Sequence, residues 1–406
     1  MSGYSFYPDK PLSQYKKSDT GLIISIILLW GLGVGALYFC SSAYSGKMLG
    51  GEFALVKRQL AASLVGFAGL AFFAFMPFSK IRKLLPLLML ATVILLLATF
   101  VPAFNEERNG AKRWVKLLFF RFQPSELAKF ALVLYLANFF DKYQKQKDND
   151  ERSVFPAVMV MTLFVSLIFA QKDFSTGLFL FLICLLLFFI SGIKTLWLIP
   201  MAVIGIPAVA MMIVWEPYRM ERIAGFLHPE QFGQGVNYQT NASLRAISAG
   251  GFWGQGIGSG LAKLSSIPEV QADYIFAGWT EAMGFIGVAL YFIILCVFAY
   301  RAYKVSFMCP SRFGAIGTFG CASAILFQSL ANVAVVCGAI PSTGIPLPFF
   351  SAGGSSMIVS LCMCGFMINA ARGDEDADIE EDYYNYNENE DNELKVLNEA
   401  GEYERL

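Results

Sequence analysis

Apolar residues along the chain are gathered into long runs, and polar residues are concentrated between them. A helix needs about twenty predominantly apolar residues to cross the hydrocarbon core of a bilayer, and the runs are close to that length. We therefore predict ten transmembrane helices, at residues 21–42, 56–77, 84–103, 124–140, 154–171, 174–191, 194–215, 275–300, 314–338 and 350–372.

The region between residues 154 and 215 is the hardest to divide. Only Lys172, Asp173 and Lys194 interrupt its apolar pattern. We divide it into three helices because a single span cannot absorb so long a run.

Composition supports a membrane protein. Of the 406 residues, 56% are hydrophobic and only 15% are charged, and the mean hydropathy is +0.54. A soluble protein carries about a quarter of its residues as charged side chains. The fold class predicted is an all-α polytopic membrane protein.

The net charge of zero hides an asymmetry. The segment 373–406 contains 14 of the 31 acidic residues and two basic ones, so it carries −12 and the rest of the chain +12. Such a segment is typical of a disordered tail, either a docking strip or inert. We predict three parts: a cytoplasmic tail (1–20), a ten-helix membrane domain (21–372) and an acidic, disordered cytoplasmic tail (373–406).

An even number of spans places both termini on one side, and the distribution of Lys and Arg places that side in the cytoplasm. The segment 216–274 is then a large extracytoplasmic loop between helices 7 and 8, which we expect to fold against the membrane surface. Several cations between Arg108 and Arg121 violate the bias, which suggests that they serve another purpose.

Two classes of site are excluded by residue usage. The eight cysteines include no CxxC pair, and most lie in or beside apolar runs, where they behave as small hydrophobes. His228 is the one histidine, so a histidine-centred triad or zinc cluster is excluded.

The stretch "FQPSELAKF" places two charges at the start of an apolar helix. Pro124 suits the first turn, and Glu126 is favourable at the positive end of a helix. Glu126 and Lys129 are three residues apart and so share a face. A salt bridge that lets the helix tolerate both charges and a substrate-binding role remain open.

Upstream, Lys112, Arg113 and Arg121 are candidates for a cationic vestibule on the outer surface. With Lys129 they would suit a substrate that carries phosphate.

Three more acidic residues lie beside or within predicted spans. Asp173 in "AQKDFSTG" and Asp273 in "IPEVQADYIFAGWTEAMGFIG" each precede a span, so each could cap a helix. Asp273 could instead be an ionised general base at the membrane boundary. Glu281 is predicted to be buried and to need a cation, for which Lys129 is a candidate.

Two segments are rich in glycine. "GGFWGQGIGSG" does not match a nucleotide-binding loop, and close-packed turns are the favoured interpretation. "GAIPSTGIPLPFFSAGGSS" combines prolines and glycines beside the last span. Irregular backbone at that depth is tolerated only when it is buried in protein or lines a wet cavity, so we expect a cleft that opens outward.

These segments together resemble the SEDS proteins of bacterial cell-wall synthesis, the FtsW and RodA family, over residues 20–372. The resemblance rests on "NGAKRWV", "FQPSELAK", "QKDFSTG", "YQTNASLRAISAGGFWGQGIGSG", "IPEVQADYIFA" and "PSTGIPLPFFSAGGSS", which occur in the family's order. The "NYQ" and "AKLSSIPE" stretches are more similar to the division branch, FtsW, than to RodA.

The resemblance implies a peptidoglycan glycosyltransferase that polymerises lipid II with inversion at the anomeric carbon. It implies that Asp273 is catalytic, and it places the predicted substrate-binding residues at Lys112, Arg113, Glu126, Lys129, Asp173, Gln239, Glu281 and Ser351. Lys172 stands where the family usually has proline, which puts substrate contacts near Asp173 in doubt.

The resemblance also implies partners and a location. The partners are lipid II, a class B penicillin-binding protein and other division proteins, with no nucleic acid. The location is the bacterial inner membrane at the division septum. A divalent cation, Mg or Mn, is expected as a cofactor without assigned ligands.

Three alternatives remain open: a RodA-type elongation polymerase, a lipid II flippase or transporter, and a non-enzymatic division scaffold. No inverted repeat of the kind found in transporters is evident in the sequence.

Overall fold

The computed structural model describes residues 19–108, 111–117, 120–145, 154–193, 198–228, 237–256 and 270–373. The predicted tails, 1–20 and 373–406, therefore lie almost entirely outside the described residues. The described chain is mostly helical, with one small sheet. Its elements are α1 (Thr20–Leu49), α2 (Ala54–Phe75), α3 (Phe78–Ala98), β1 (Asn105–Arg108), β2 (Ala111–Leu117), β3 (Phe120–Phe122), α4 (Pro124–Lys145), α5 (Phe155–Ala170), α6 (Phe174–Ile190), α7 (Leu198–Val214), α8 (Pro217–Leu227), α9 (Tyr238–Gly250), α10 (Ile275–Met308), α11 (Arg312–Val336) and α12 (Gly354–Arg372).

Six of the described helices, α1, α2, α3, α10, α11 and α12, are long and apolar enough to cross a membrane. Helices α5 and α6 are apolar but shorter, at 16 and 17 residues. The predicted division of residues 154–215 into three helices is confirmed, because separate helices α5, α6 and α7 occupy that range. The first break falls at Lys172 and Asp173, where the polar residues predicted it.

The centre of the bundle is formed by α4, α11 and α12, and α1 to α3 lie outside it. Residues 128–134 of α4 are almost completely buried. Side chains such as Leu64, Phe75 and Leu87 on the outer helices are well exposed, as expected for surfaces that face lipid. Helix α12 packs closely on α2, since a Cβ added at Gly365 would lie 2.3 Å from the Leu70 carbonyl oxygen.

The prediction of an all-α fold is wrong for residues 105–122. This segment forms a three-stranded antiparallel sheet in the order β1-β2-β3. The strands are short, from three to seven residues, and their cations obscure the alternation of polar and apolar positions. The sheet leads directly into α4, where Pro124 occupies the first helical position, as predicted.

The segment predicted as a large loop, 216–274, contains two helices among its described residues. Pro217 begins α8, an amphipathic helix, and α9 follows after residues outside the described ranges. The Ser243 hydroxyl on α9 donates a hydrogen bond to the Val336 carbonyl at the end of α11, at 2.8 Å. This part of the segment therefore packs on the helix bundle.

Helix α10 is interrupted at Gly284, whose φ of 63° and ψ of −159° are accessible essentially to glycine alone. Residues 250–256 pack against the interruption and satisfy the backbone groups that it frees. Gln255 N–H donates to the Glu281 carbonyl at 2.9 Å, and Phe285 N–H donates to the Gly251 carbonyl at 3.0 Å. The interpretation of this glycine-rich segment as close-packed turns is confirmed for residues 250–256.

Residues 337–353, between α11 and α12, have no regular secondary structure. Most of residues 345–351 are buried, so the predicted irregular backbone beside the last span is confirmed. Its cleft remains a prediction.

Candidate functional site

The two charges at the start of α4 form the predicted ion pair. Lys129 Nζ lies 2.9 Å from Glu126 Oε2, and both side chains are almost completely buried. The pair is supported by the ring of Phe179, whose centroid lies 5.6 Å from Lys129 Nζ. A buried ion pair with these contacts holds a positive charge at a fixed position inside the bundle.

Lys129 also connects α4 to the irregular segment 337–353. Its ammonium group donates to Gln328 Oε1 on α11 at 2.6 Å, and Gln328 Nε2 donates to the Pro346 carbonyl at 2.9 Å. The ammonium group has three N–H donors, and these contacts engage two of them. The described contacts therefore leave one donor for a ligand.

One turn further along α11, Asn332 connects the backbone of Asp273 to the same irregular segment. Its side-chain amide donates to the Asp273 carbonyl at 2.8 Å and to the Ile345 carbonyl at 2.9 Å. Gly344 lies against the carboxylate, since a Cβ built on it would be 3.4 Å from Asp273 Oδ2. Asp273 is partly exposed, and Tyr274 rather than Asp273 occupies the capping position of α10.

Gln328 and Asn332 are separated by one helical turn, about 6 Å along the axis. These two side chains connect Lys129, through its ammonium group, and Asp273, through its main-chain carbonyl, to the same irregular segment 337–353. The structure thus brings together two residues that are far apart in the sequence.

Asp173 is surrounded by donors from the chain that precedes α4. Gln123 Nε2 donates to Asp173 Oδ2 at 3.1 Å, and the Ser125 hydroxyl lies 3.4 Å from the same oxygen. Arg113 Nη1 lies 3.6 Å from Asp173 Oδ1, and Arg113 Nη2 donates to the Lys172 carbonyl at 3.1 Å. Asp173 occupies the N-cap position of α6, as predicted, but its carboxylate makes no capping hydrogen bond with the backbone of that helix.

The sheet separates the cations that were predicted to form one vestibule. Neighbouring residues of a strand point to opposite faces, so Lys112 and Arg113 diverge. Arg113 lies on the face of buried Val115, whereas Lys112 is exposed and Arg121 is paired in register with Lys116. The sheet thus places Arg113 on one face and Lys112 and Arg121 on the other, since Lys112 shares a face with Lys116. The cationic vestibule, and substrate contact by Lys112, stay predictions.

Glu281 is buried on the first half of α10, as predicted. The described contacts of Lys129, its expected partner, are with Glu126 and Gln328, and none of them joins Lys129 with Glu281. The main-chain carbonyl of Glu281 accepts the hydrogen bond from the N–H of residue 255 across the interruption of α10.

Two further predicted residues have clear structural surroundings. Gln239 lies in the first turn of α9, beside Thr240, whose hydroxyl is 3.2 Å from the Tyr274 hydroxyl. Ser351 is buried, and its hydroxyl accepts a hydrogen bond from the Leu347 N–H at 2.8 Å. Their roles in substrate binding stay predictions.

The structure adds two arginines that the sequence analysis missed, Arg219 and Arg222 on α8. Arg219 lies over the ring of Phe174, 4.7 Å from its centroid, and burial lowers its pKa, with the nearby charge of Arg113 acting in the same direction. Arg222 donates to the Ser342 carbonyl at 2.7 Å. Their spacing of three residues in an amphipathic segment was the available signal.

The expected divalent cation finds no obvious ligand set in the described parts of the chain. Within them, no group of three or more histidine, cysteine, aspartate or glutamate side chains could hold a metal ion. We therefore assign no residue to a metal.

The sequence matches the family model described as "Cell cycle protein", FtsW/RodA/SpoVE, over residues 20–376. A similar curated protein is the probable peptidoglycan glycosyltransferase FtsW of Geobacter sp. (strain M18), 34% identical over 87% of this chain and 96% of its own. Stage V sporulation protein E of Bacillus subtilis (strain 168) is 31% identical over 87% of this chain and 97% of its own.

Solved structures of similar proteins have the same fold. A chain from a peptidoglycan synthase complex, solved in work on the coordination of polymerization and crosslinking, has a TM-score of 0.68 and 26% identity. It covers 88% of this chain and 98% of its own length. The rod shape determining protein RodA of Thermus thermophilus has a TM-score of 0.64 and 24% identity over the same shares. This chain belongs to the FtsW/RodA/SpoVE family.

Proposed function

We propose that this protein is a membrane-embedded peptidoglycan glycosyltransferase that polymerises lipid II during bacterial cell division. One observation carries the proposal: Gln328 and Asn332, one turn apart on α11, connect the buried Lys129 ammonium and the main-chain carbonyl of the partly exposed Asp273 to one irregular segment. The relatives named peptidoglycan glycosyltransferase FtsW support the reaction class.

Asp273 is the proposed general base. It removes the proton from the acceptor sugar hydroxyl, and the hydroxyl oxygen forms a bond with the anomeric carbon of the donor. The bond from that carbon to the polyprenyl pyrophosphate breaks, and its electron pair leaves with the pyrophosphate. A single displacement inverts the anomeric centre.

The leaving pyrophosphate needs positive charge near the reacting carbon. Lys129 has a donor available and is held by Glu126, so it is the first candidate for this task. Arg113 is partly engaged by Asp173 and is the second candidate. A divalent cation would supply the same neutralisation, but the mechanism proposed here assigns no step to it.

The topology proposed with this function has ten transmembrane helices, both termini in the cytoplasm and the segment 216–274 outside. The six long apolar helices and the shorter α5 and α6 support it. An outer position for 216–274 puts Asp273 on the side where lipid-linked glycans are polymerised, and the division septum is the proposed location.

The proposed partner is a class B penicillin-binding protein, which would crosslink the new strands. A similar chain was solved within a peptidoglycan synthase complex, which supports this assignment. Other division proteins complete the proposed assembly.

The test is polymerisation of fluorescent lipid II by purified protein, with and without the cognate transpeptidase. Asp273→Asn keeps the size of the side chain but removes the base, so glycan polymer should fall by at least about a hundredfold. Glu221→Gln removes an exposed carboxylate on α8 and should retain activity.

Appreciable polymer from Asp273→Asn would overturn the assignment of the base. Translocation of lipid II by the wild-type protein without any polymer would replace the enzyme with a flippase.

A further inference from the structure

Helix α8 is fixed to the protein at both ends. Near its start, Arg219 donates to the Met212 carbonyl at the end of α7 and lies over Phe174 of α6. Near its end, the Gly225 carbonyl accepts a hydrogen bond from Asn237 Nδ2 at 2.6 Å. The residue between these anchors, Arg222, is therefore held in a defined position.

Arg222 lies close to the proposed catalytic carboxylate. Its guanidinium donates to the Ser342 carbonyl, two residues before Gly344, which packs against Asp273. Burial raises the pKa of Tyr274, and the charges of both Asp273 and Arg222 also act on that hydroxyl, in opposite directions. Arg222 and Asp273 are thus both near the Tyr274 hydroxyl.

The guanidinium of Arg222 is only partly satisfied by the described residues. It also contacts the Tyr218 hydroxyl and lies 4.5 Å from the centroid of that ring. Arginine carries five N–H donors, and two hydrogen bonds to protein leave most of them available. No carboxylate of the described residues lies within ion-pairing distance of Arg222, although its side chain is half-buried.

A half-buried guanidinium without a carboxylate partner is suited to an anionic ligand. Its planar fork matches two oxygens of a phosphate at once, which a lysine cannot do. The stacked Tyr218 ring keeps the plane of the fork in place.

We propose that Arg222 binds the pyrophosphate of a polyprenyl-linked substrate beside Asp273. The proposal rests on the proposed function and extends it, because it assigns a pyrophosphate-binding residue to α8. Lys129 is connected to the same irregular segment through Gln328, whereas Arg222 donates directly to its Ser342 carbonyl.

A purely structural role for Arg222, as an anchor of the Ser342 carbonyl, makes a different prediction. Loss of an anchor would weaken binding of every polyprenyl lipid to a similar extent. Loss of a pyrophosphate ligand would remove the preference for pyrophosphate over monophosphate.

The experiment measures equilibrium binding of a sugar-free polyprenyl pyrophosphate and the matched polyprenyl monophosphate to protein in nanodiscs. Every sample carries Asp273→Asn, so no result depends on polymerisation. Arg222→Gln should weaken pyrophosphate binding by about tenfold to a hundredfold and leave monophosphate binding within about threefold. Arg245→Gln removes an exposed arginine of α9 and should change neither affinity.

Equal weakening of both lipids, or no weakening of either, would overturn the proposal. If Arg222→Gln does not fold, chemical modification of Arg222 in the wild-type protein by phenylglyoxal replaces it. Inorganic pyrophosphate should protect Arg222 and not Arg245, and absence of protection would also overturn the proposal. Either failure would leave lipid II polymerisation by the wild-type protein, and hence the proposed function, intact.

Discussion

Helical structure is interrupted at Gly284 of α10 and in the segment 337–353, and the protein stabilises these two interruptions by different means. At Gly284, the freed backbone groups of α10 are paired with backbone groups of residues 250–256. In the segment 337–353, side chains from neighbouring helices satisfy the carbonyls, among them Gln59, Gln328 and Asn332. Both arrangements obey the requirement that polar backbone inside a membrane be paired within the protein.

The difference concerns how much change each interruption can tolerate. Backbone pairing needs close approach, and a Cβ added at Gly284 would lie 2.3 Å from the Gly254 nitrogen. Anchoring by side chains is divided among several residues, so the loss of one leaves the others in place. We therefore expect the first interruption to fail completely and the second to weaken in steps.

The largest effect is expected at Gly284. Gly284→Ala forces an L-residue into a conformation that costs about 1–3 kcal/mol and adds a clash with backbone, so unfolding free energy should fall by more than about 3 kcal/mol. Thermal unfolding in detergent measures it. Gly31→Ala, on α1 with no heavy atom within 4 Å of the added Cβ, is the control and should unfold like wild type. A Gly284→Ala protein as stable as that control would contradict the comparison.

An intermediate effect is expected at Asn332. Asn332→Asp keeps the shape but removes the amide donors, which leaves the Asp273 and Ile345 carbonyls unpaired. The two lost bonds cost about 1 kcal/mol each, so the free energy of unfolding should fall by about 2 kcal/mol, and the displacement of Asp273 should lower polymerisation at least tenfold. Polymerisation assays and thermal unfolding check both parts.

The matched control for Asn332 is Thr318→Val on the same helix. The Thr318 hydroxyl is buried and has no hydrogen-bond partner among the described residues, so its removal should be tolerated. Equal activity of the Asn332 and Thr318 variants would show that Asn332 does not position Asp273.

The smallest effect is expected at Gln59. Gln59→Ala removes one hydrogen bond, from Gln59 Nε2 to the Ser351 carbonyl, in a turn that Ser351 also closes itself. Stability should fall by about 1 kcal/mol, and the polymerisation rate should change less than threefold. A loss as large as that of Asn332→Asp would mean that the anchors of the segment act as a unit.

The sequence was sufficient to predict those features that are determined by residues adjacent in the chain. The division of residues 154–215 at Lys172 and Asp173, the start of α4 at Pro124 and the pair Glu126–Lys129 all follow from neighbouring residues. The close packing of residues 250–256 followed from their glycines. In each case the residues that show the sequence pattern are the same residues that produce the structure.

The sequence was insufficient to predict those features that are caused by contacts between residues distant in the chain. Gly284 stands in an apolar helical pattern, and only the docking of residues 250–256 shows why α10 is interrupted there. The separation of Lys112 from Arg113 required a strand to be recognised, and the cations of β2 hide its alternation. The spacing of Arg219 and Arg222 indicates a shared helix face, but the significance of Arg222 depends on Ser342 and Tyr274, which are distant in the chain.

The interruption of α10 also bears on how the protein is assembled. Residues 285–308 alone exceed the roughly twenty residues that a helix needs to cross the hydrocarbon core. The insertion machinery can therefore place this portion in the lipid while Glu281, on its outer side, crosses the membrane with the segment 216–274 and is not left in the hydrocarbon core. Residues 275–283 would join the bundle later, when α9 and residues 250–256 arrive to pair with their carbonyls. The half of α10 that follows Asp273 would in that case be among the last parts to take its final position during biogenesis.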